Sequence, residues 1–210
     1  MLSSVSNQQP ESAASVKTKS INITPKIGSI ITFGNYNWRI LNVQNDKALI
    51  LTEEIIEKRP YNKKFKNVTW EECTLRKYLN GGFLDKFTKE QQGRIINIQV
   101  INRNNPWFGT KDGSDTTDEI FLLSLEEVKK YFGDSGQLMN KNQKNEFWID
   151  DQYNSKRRAK YGNETDWWWL RSLGIAGHLA AGVGSGGRVS VSGDGISNDG
   201  GVRPALWLNL

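Results

Sequence analysis

Residues 174–201 hold half of the chain's twenty glycines, yet they sit between two runs that read as firm, apolar strands. The first run is Trp167-Trp-Trp-Leu170 and the second is Val202-Arg-Pro-Ala-Leu-Trp-Leu-Asn-Leu210. Glycine weakens a strand, so a Gly-rich stretch between core strands has to fold as short strands joined by tight turns. The stretch also contains no Lys, Glu, Gln, Met or Trp, although these residue types are common earlier in the chain.

Alternation divides the stretch into two faces. Val189 and Val191 share one face and point inward, together with Val183, Ile196 and Val202. The outward set is Ile175, Ala176, His178, Leu179, Gly182, Gly184, Ser190, Ser192, Asp194, Gly195, Asn198 and Gly200. Anchors for a ligand are few there, chiefly Ile175, His178 and Leu179. Of the neighbouring tryptophans, at least two of Trp167, Trp168 and Trp169 are expected in the core. Arg171 and Arg203 flank the stretch as buried groups that need partners, with Asp118 or Asp166 as candidates.

Upstream, residues 1–26 are polar and without apolar periodicity, and read as a disordered tail or linker. Residues 27–210 read as one α+β domain of short strands, two or three helices and long loops. Strands are expected at Ile30–Phe33, Tyr36–Leu41, Lys47–Thr52, Arg94–Val100 and Asp118–Ser124. Thr69-x-x-Glu72 and Ser124-x-x-Glu127 fit capping boxes, predicting helices through Leu75, Tyr78 and Leu79 and over Leu125–Phe132. Gly81 and Gly82 should stop the first. A second short helix is expected from Phe83 to Gly93, and residues 133–166 read as long polar loops.

Chemistry-bearing residues are sparse. The single cysteine, Cys73, precludes a disulfide within the chain and reads as a small core residue. The one histidine, His178, leaves Ser172 and Ser185 without a triad. Gly182-Val-Gly-Ser-Gly-Gly187 lacks the strand–turn–helix setting of a phosphate loop. Glu53-Glu54, Glu71-Glu72 and Glu126-Glu127 fall at strand ends and helix starts, where carboxylates complement backbone dipoles. No catalytic residue, metal or cofactor is expected. The net charge of +5 includes Lys129-Lys130, Lys141, Lys144 and Lys156-Arg-Arg-Ala-Lys160, which read as a solvated face and not as a nucleic-acid site. No signal peptide and no membrane-length apolar run is visible.

Four ordered motifs carry a resemblance: Trp70 with Leu75-Arg-Lys-Tyr-Leu-Asn80 and Phe83; Thr117-Asp-Glu-Ile-Phe-Leu-Leu-Ser-Leu-Glu126; Trp168-Trp-Leu-Arg-Ser-Leu-Gly174; and Gly201-Val-Arg-Pro-Ala-Leu-Trp-Leu208. Over residues 28–210 the chain resembles the bacterial and phage domain of unknown function DUF6273, with Leu173 where the family often has Pro. The resemblance implies a C-type-lectin-like fold of the branch shared with formylglycine-generating enzymes. That activity needs paired cysteines with copper, and the calcium-dependent sugar triplets of true lectins are also missing.

The resemblance further implies a role as a variable protein of a diversity-generating retroelement. Such an element rewrites adenines, and an Asn codon AAY rewritten at adenines cannot yield Lys, Glu, Gln, Met or Trp. On that reading residues 175–200 form a variable surface for a protein or cell-surface ligand, and Trp169, Arg171, Arg203 and Trp207 form its frame. The alternatives are an ordinary Gly-rich segment in an adhesion or structural module of fixed specificity on a phage or bacterial surface and, further off, an enzyme of the formylglycine branch.

Overall fold

The computed structural model describes residues 25–141 and 147–210. The expected tail therefore lies outside the described residues up to position 24. From Pro25 the chain is ordered by short contacts: Lys26 O accepts both the N–H and the hydroxyl of Ser29.

The first three strands are β1 (Ile30–Phe33), β2 (Tyr36–Gln44) and β3 (Lys47–Thr52), an antiparallel meander. Next come β4 (Glu57–Arg59) and α1 (Thr74–Tyr78). The predicted cap at Thr69 is displaced. Thr69 O accepts from Glu72 and Cys73 in a turn, and the helix starts four residues later. Its N-cap is Cys73, whose Sγ accepts the Arg76 N–H at 3.3 Å. Thr74 is drawn away to the loop before it: its N–H donates to Asn62 Oδ1 and its hydroxyl accepts from Lys63 N. Gly81 and Gly82 do not end the helix but run on in a π-type turn, Leu79–Phe83. A 3-10 turn and α2 (Lys89–Gln92), capped by Thr88, follow.

The expected strand over 94–100 is two strands in different sheets, β5 (Ile95–Ile96) and β6 (Ile98–Val100). β7 (Thr116–Asp118) pairs with β6. Residues 119–123, expected to continue as a strand, instead pass between the main sheets. Phe121 and Ala205 exchange backbone bonds of 2.9 and 2.7 Å, while Leu123 O accepts the Arg171 N–H. Then α3 spans Leu125–Phe132 with the Ser124/Glu127 capping box in place. Ser124→Ala should cost about 1 kcal/mol, read as a lower urea midpoint with an unchanged m-value, whereas Ser124→Gly should cost only a few tenths.

The region expected as loops carries β8 (Trp148–Ile149), α4 (Asn154–Arg157), β9 (Ala159–Tyr161) and β10 (Glu164–Asp166). The last strands are β11 (Trp168–Leu173), β12 (Leu179–Val183), β13 (Val189–Gly195), β14 (Gly200–Val202) and β15 (Ala205–Asn209). The fold is α+β and mostly strand. One sheet has the order β1-β2-β3-β15-β5 and the other β4-β14-β11-β12-β13-β8, with β6–β7 and β9–β10 as small pairs. All six residues of β11 are buried, as a strand covered on both faces requires. Arg203 and Pro204 carry the chain from the second sheet to the first: Ile56 N donates to Val202 O and Thr52 N to Pro204 O.

Candidate functional site

The Gly-rich segment folds as the hairpin β12–β13 with turns at its ends. At one end Ile175 N donates to Ser192 O, and His178 O accepts from Ile196 N. The loop after β4 closes on the same end, where Asn62 N donates to Ile196 O and Val68 N to Gly177 O, each at 2.9 Å. Three segments thus meet: residues 62–68, 175–179 and 194–198.

The outward set is only partly outward. Ile175, Asp194 and Asn198 are exposed, and Ala176, His178, Leu179, Ser192 and Gly195 are half-exposed. Gly182, Ser190 and Gly200 are buried. Alternation fails at Gly182 and Gly200 because Trp167 lies against both, and Ser190 pairs with Trp148 of β8 while its hydroxyl accepts from Gly193 N. Asn105, itself buried, donates through one amide to Leu173 O and Val191 O, at 2.8 and 2.9 Å. Phe147 O takes the N–H groups of Val191 and Ser192. Gly200 lies beneath Trp167 and Trp169. Gly184 is half-exposed but lies beyond the far end of β12 from His178, so it does not belong to the same surface.

The glycines divide in the same way. A Cβ on Gly174, Gly187 or Gly200 would overlap Ser192 O, Asn154 O or Trp169 Nε1, and one on Gly201 would stand 2.5 Å from Trp167 O. Around Gly186 nothing lies within 4 Å. Gly201→Ala should cost about 1–3 kcal/mol, and Gly186→Ala should stay within about 0.5 kcal/mol, compared as thermal melting points.

The frame is as buried as expected. Trp168 and Trp169 are fully enclosed, with Trp167 partly so, and Trp207 is half-buried in β15. The expected partners of the arginines are wrong. Asp118 is held by Arg76 and by Trp70 Nε1, and Asp166 by Lys58. Arg171 instead meets the Glu127 carboxylate, Leu122 O and Ile101 O. Arg203 donates to Thr52 O and Glu53 O and lies over Trp168 and Phe132. Burial lowers its pKa to about 10.

Sequence reasoning missed Asn105 and Asp112, which staple the loop around residues 102–115 to β11. Asp112 Oδ1 accepts the Leu173 N–H at 2.9 Å, and burial pushes its carboxyl up to about 7. It also missed Phe65, 62% exposed, whose ring stands edge-on to His178 with centroids 5.1 Å apart. The signal was present in Lys58-Arg-Pro-Tyr-Asn-Lys-Lys-Phe-Lys66, an exposed aromatic inside a cationic run. Burial pushes the Cys73 thiol up to about 12, so it offers no thiolate at neutral pH. Among the described residues no group of three or more His, Cys, Asp or Glu is placed to hold a metal, and no helix is long and apolar enough to cross a membrane.

Residues 45–210 match the family model described as Domain of unknown function (DUF6273), and the chain belongs to that family. No curated protein and no solved structure matches the chain.

Proposed function

We propose that this DUF6273 chain is a non-enzymatic ligand-binding protein with a C-type-lectin-like fold, whose exposed turns between residues 175 and 199 are diversified by a retroelement acting on adenines. The ligand is a protein or cell-surface molecule. The observation that carries this reading is the segregation of free from fixed positions within one short segment. Ile175, Ala176, His178, Leu179, Asp194 and Asn198 reach solvent in adjacent turns and the strand ends beside them. Between them run Ala180–Val183 and Val189–Val191, all buried, and a Cβ on Gly193 would stand 2.8 Å from Ala180 O. Loops that can change on a scaffold that cannot are how a recognition surface tolerates variation. The adjacency of β15 to the opening meander keeps the two ends of the domain together. The absence of Lys, Glu, Gln, Met and Trp from residues 174–201 fits adenine-limited change from Asn codons.

One observation favours a second reading, a module of fixed specificity on a phage or bacterial surface. The overlaps that a Cβ would meet at Gly174, Gly187, Gly200 and Gly201 account for part of the small-residue bias by packing alone. Sequencing the 3′ end of the gene and its flanking DNA across a growing population separates the two. Diversification predicts substitutions concentrated at the exposed codons, at adenines of a nearby template copy, with the overlapping glycines unchanged. A uniform segment with no template beside it would leave the fixed module.

A further inference from the structure

The surface has a component outside the Gly-rich segment. The loop 62–67 presents Phe65 between Lys63, Lys64 and Lys66. It is a built loop, not a loose one. Asn62 Nδ2 donates to Lys64 O at 2.8 Å, Asn62 Oδ1 accepts from Thr74, and Lys63 N donates to the Thr74 hydroxyl. Its two ends are bonded to Ile196 and Gly177, as described above. An aromatic side chain held out by a loop already ordered costs little entropy to use in binding. Its ring is braced by His178, whose Nδ1 lies 3.3 Å from Asn67 Oδ1, and Ile175 is 46% exposed on the turn that precedes His178.

The charges around this apolar centre are unequal. Lys58 and Arg59, at the start of the same run, are paired with Asp166 and Glu57. Lys63, Lys64 and Lys66 have no carboxylate within 4 Å among the described residues. Beside Lys63 a cleft of about 340 Å³ is lined by Arg59, Thr74, Lys77 and Tyr78, which extends the cationic side. The end of β13 carries Asp194 and the turn after it Asp199, both exposed. A uniform polyanion laid across the surface would meet these two carboxylates.

We propose that loop 62–67 and the adjoining turn 175–178 form a docking surface for an acidic polypeptide segment that places an apolar side chain against Phe65, Ile175 and His178. This names the partner class for the surface proposed above, and it rests on that reading for the turn 175–178. Aromatic anchors dominate interface energies when they are centrally placed, and lysines at the rim set charge preference and association rate.

The test is selection of a displayed random peptide library on the full chain. It is followed by affinity measurements of recovered peptides against Phe65→Ala, Ile175→Ser, His178→Ala and the triple Lys63→Gln, Lys64→Gln, Lys66→Gln variant. All substituted positions lie at least partly open to solvent, and thermal melting checks that each variant is folded. The expected peptides combine Asp or Glu with an aromatic or aliphatic residue. Their affinity should fall at least tenfold with Phe65→Ala, fall with the triple variant, and weaken with salt. Anionic vesicles of phosphatidylserine with phosphatidylcholine, and single-stranded DNA, should bind no better than neutral controls.

Peptides without acidic enrichment, or binding indifferent to Phe65→Ala, would overturn the proposal. So would dependence on Phe65 without dependence on Ile175 or His178, and so would lysine-dependent binding of the vesicles or the DNA. The diversification reading fails separately, through a uniform gene segment, and that result leaves a fixed acidic-peptide site standing.

Discussion

Arg171→Ala is expected to lower stability by about 3–5 kcal/mol, a large part of the roughly 5–15 kcal/mol available to a domain of this size. Arg171 is enclosed in β11, and its guanidinium joins segments far apart in sequence. One nitrogen meets the Glu127 carboxylate and Leu122 O, a second donates to Ile101 O at 3.1 Å, and Nε donates to Asn102 Oδ1 at 3.2 Å. Alanine would leave two backbone carbonyls without their donor and a carboxylate without its cation. Glu127 also closes the capping box of α3 through the Ser124 N–H, so the loss reaches the start of that helix. Arg171→Lys keeps the charge but not the planar fork, and should recover less than half of the loss. Urea unfolding of the two variants beside wild type measures this. A cost under about 1 kcal/mol for Arg171→Ala would show that the joined segments hold without it.

Stability should fall as pH rises from about 4 to about 7, and Asp112→Asn should flatten that slope. Burial, with Glu126 nearby, raises the folded-state pKa of Asp112 to about 7, against the ordinary carboxyl value near 4 in the unfolded chain. In that window the folded protein holds a proton that the unfolded chain has released. Unfolding therefore becomes easier with pH, by up to about 1.4 kcal/mol per unit for this one group. The contribution is fully present below the unfolded pKa and gone above the folded one. Asparagine keeps an oxygen for the Leu173 N–H and cannot ionise, so the Asp112→Asn variant should be more stable than wild type at pH 8. The pKa of Asp151 moves the opposite way. Although burial alone would raise it, bonds from Arg157 and Ser135 lower it, so its contribution is lost only as pH falls through the acid range. Urea midpoints at pH 5 and pH 8 decide the matter. A slope that persists in Asp112→Asn would place its origin elsewhere.

Local signals were legible where local chemistry decides the structure. The box at Ser124, with apolar residues at 125, 128 and 132, defined α3 to its last residue, and Lys47–Thr52 became β3 unchanged. Thr69-x-x-Glu72 carried an equally good local signal, but Asn62 and Thr74 bond across the loop and move the helix start to Cys73. Ile95 to Val100 alternates as one strand would, yet Ile95–Ile96 pair with β15 and Ile98–Val100 with β7. No pattern within six residues reports which sheet a residue joins. In the site, alternation correctly turned Val189 and Val191 inward. It could not show that Asn105, 86 residues before Val191, bonds the Val191 carbonyl, or that Ser190 on the opposite face is also buried. Phe65 was readable in its own run, but its place beside His178 depends on contacts 111 residues apart, such as Asn67 to His178.

The insertion of β15 between β3 and β5 bears on how a gene diversified as proposed would be inspected. Thr52 and Arg203 are 151 residues apart, and the first sheet is incomplete until the strand after Arg203 joins it. That strand is translated after residues 175–199. A frameshift or stop codon arising among those codons deletes β15 as well, leaving β3 and β5 without their shared neighbour. A missense change at an open turn leaves β15 intact. Errors of reading frame thus yield chains that cannot close the core and are exposed to proteolysis, while amino-acid changes at the surface pass through. Under the proposed diversification, the position of one strand would make folding itself a proofreading step for the codons that precede it.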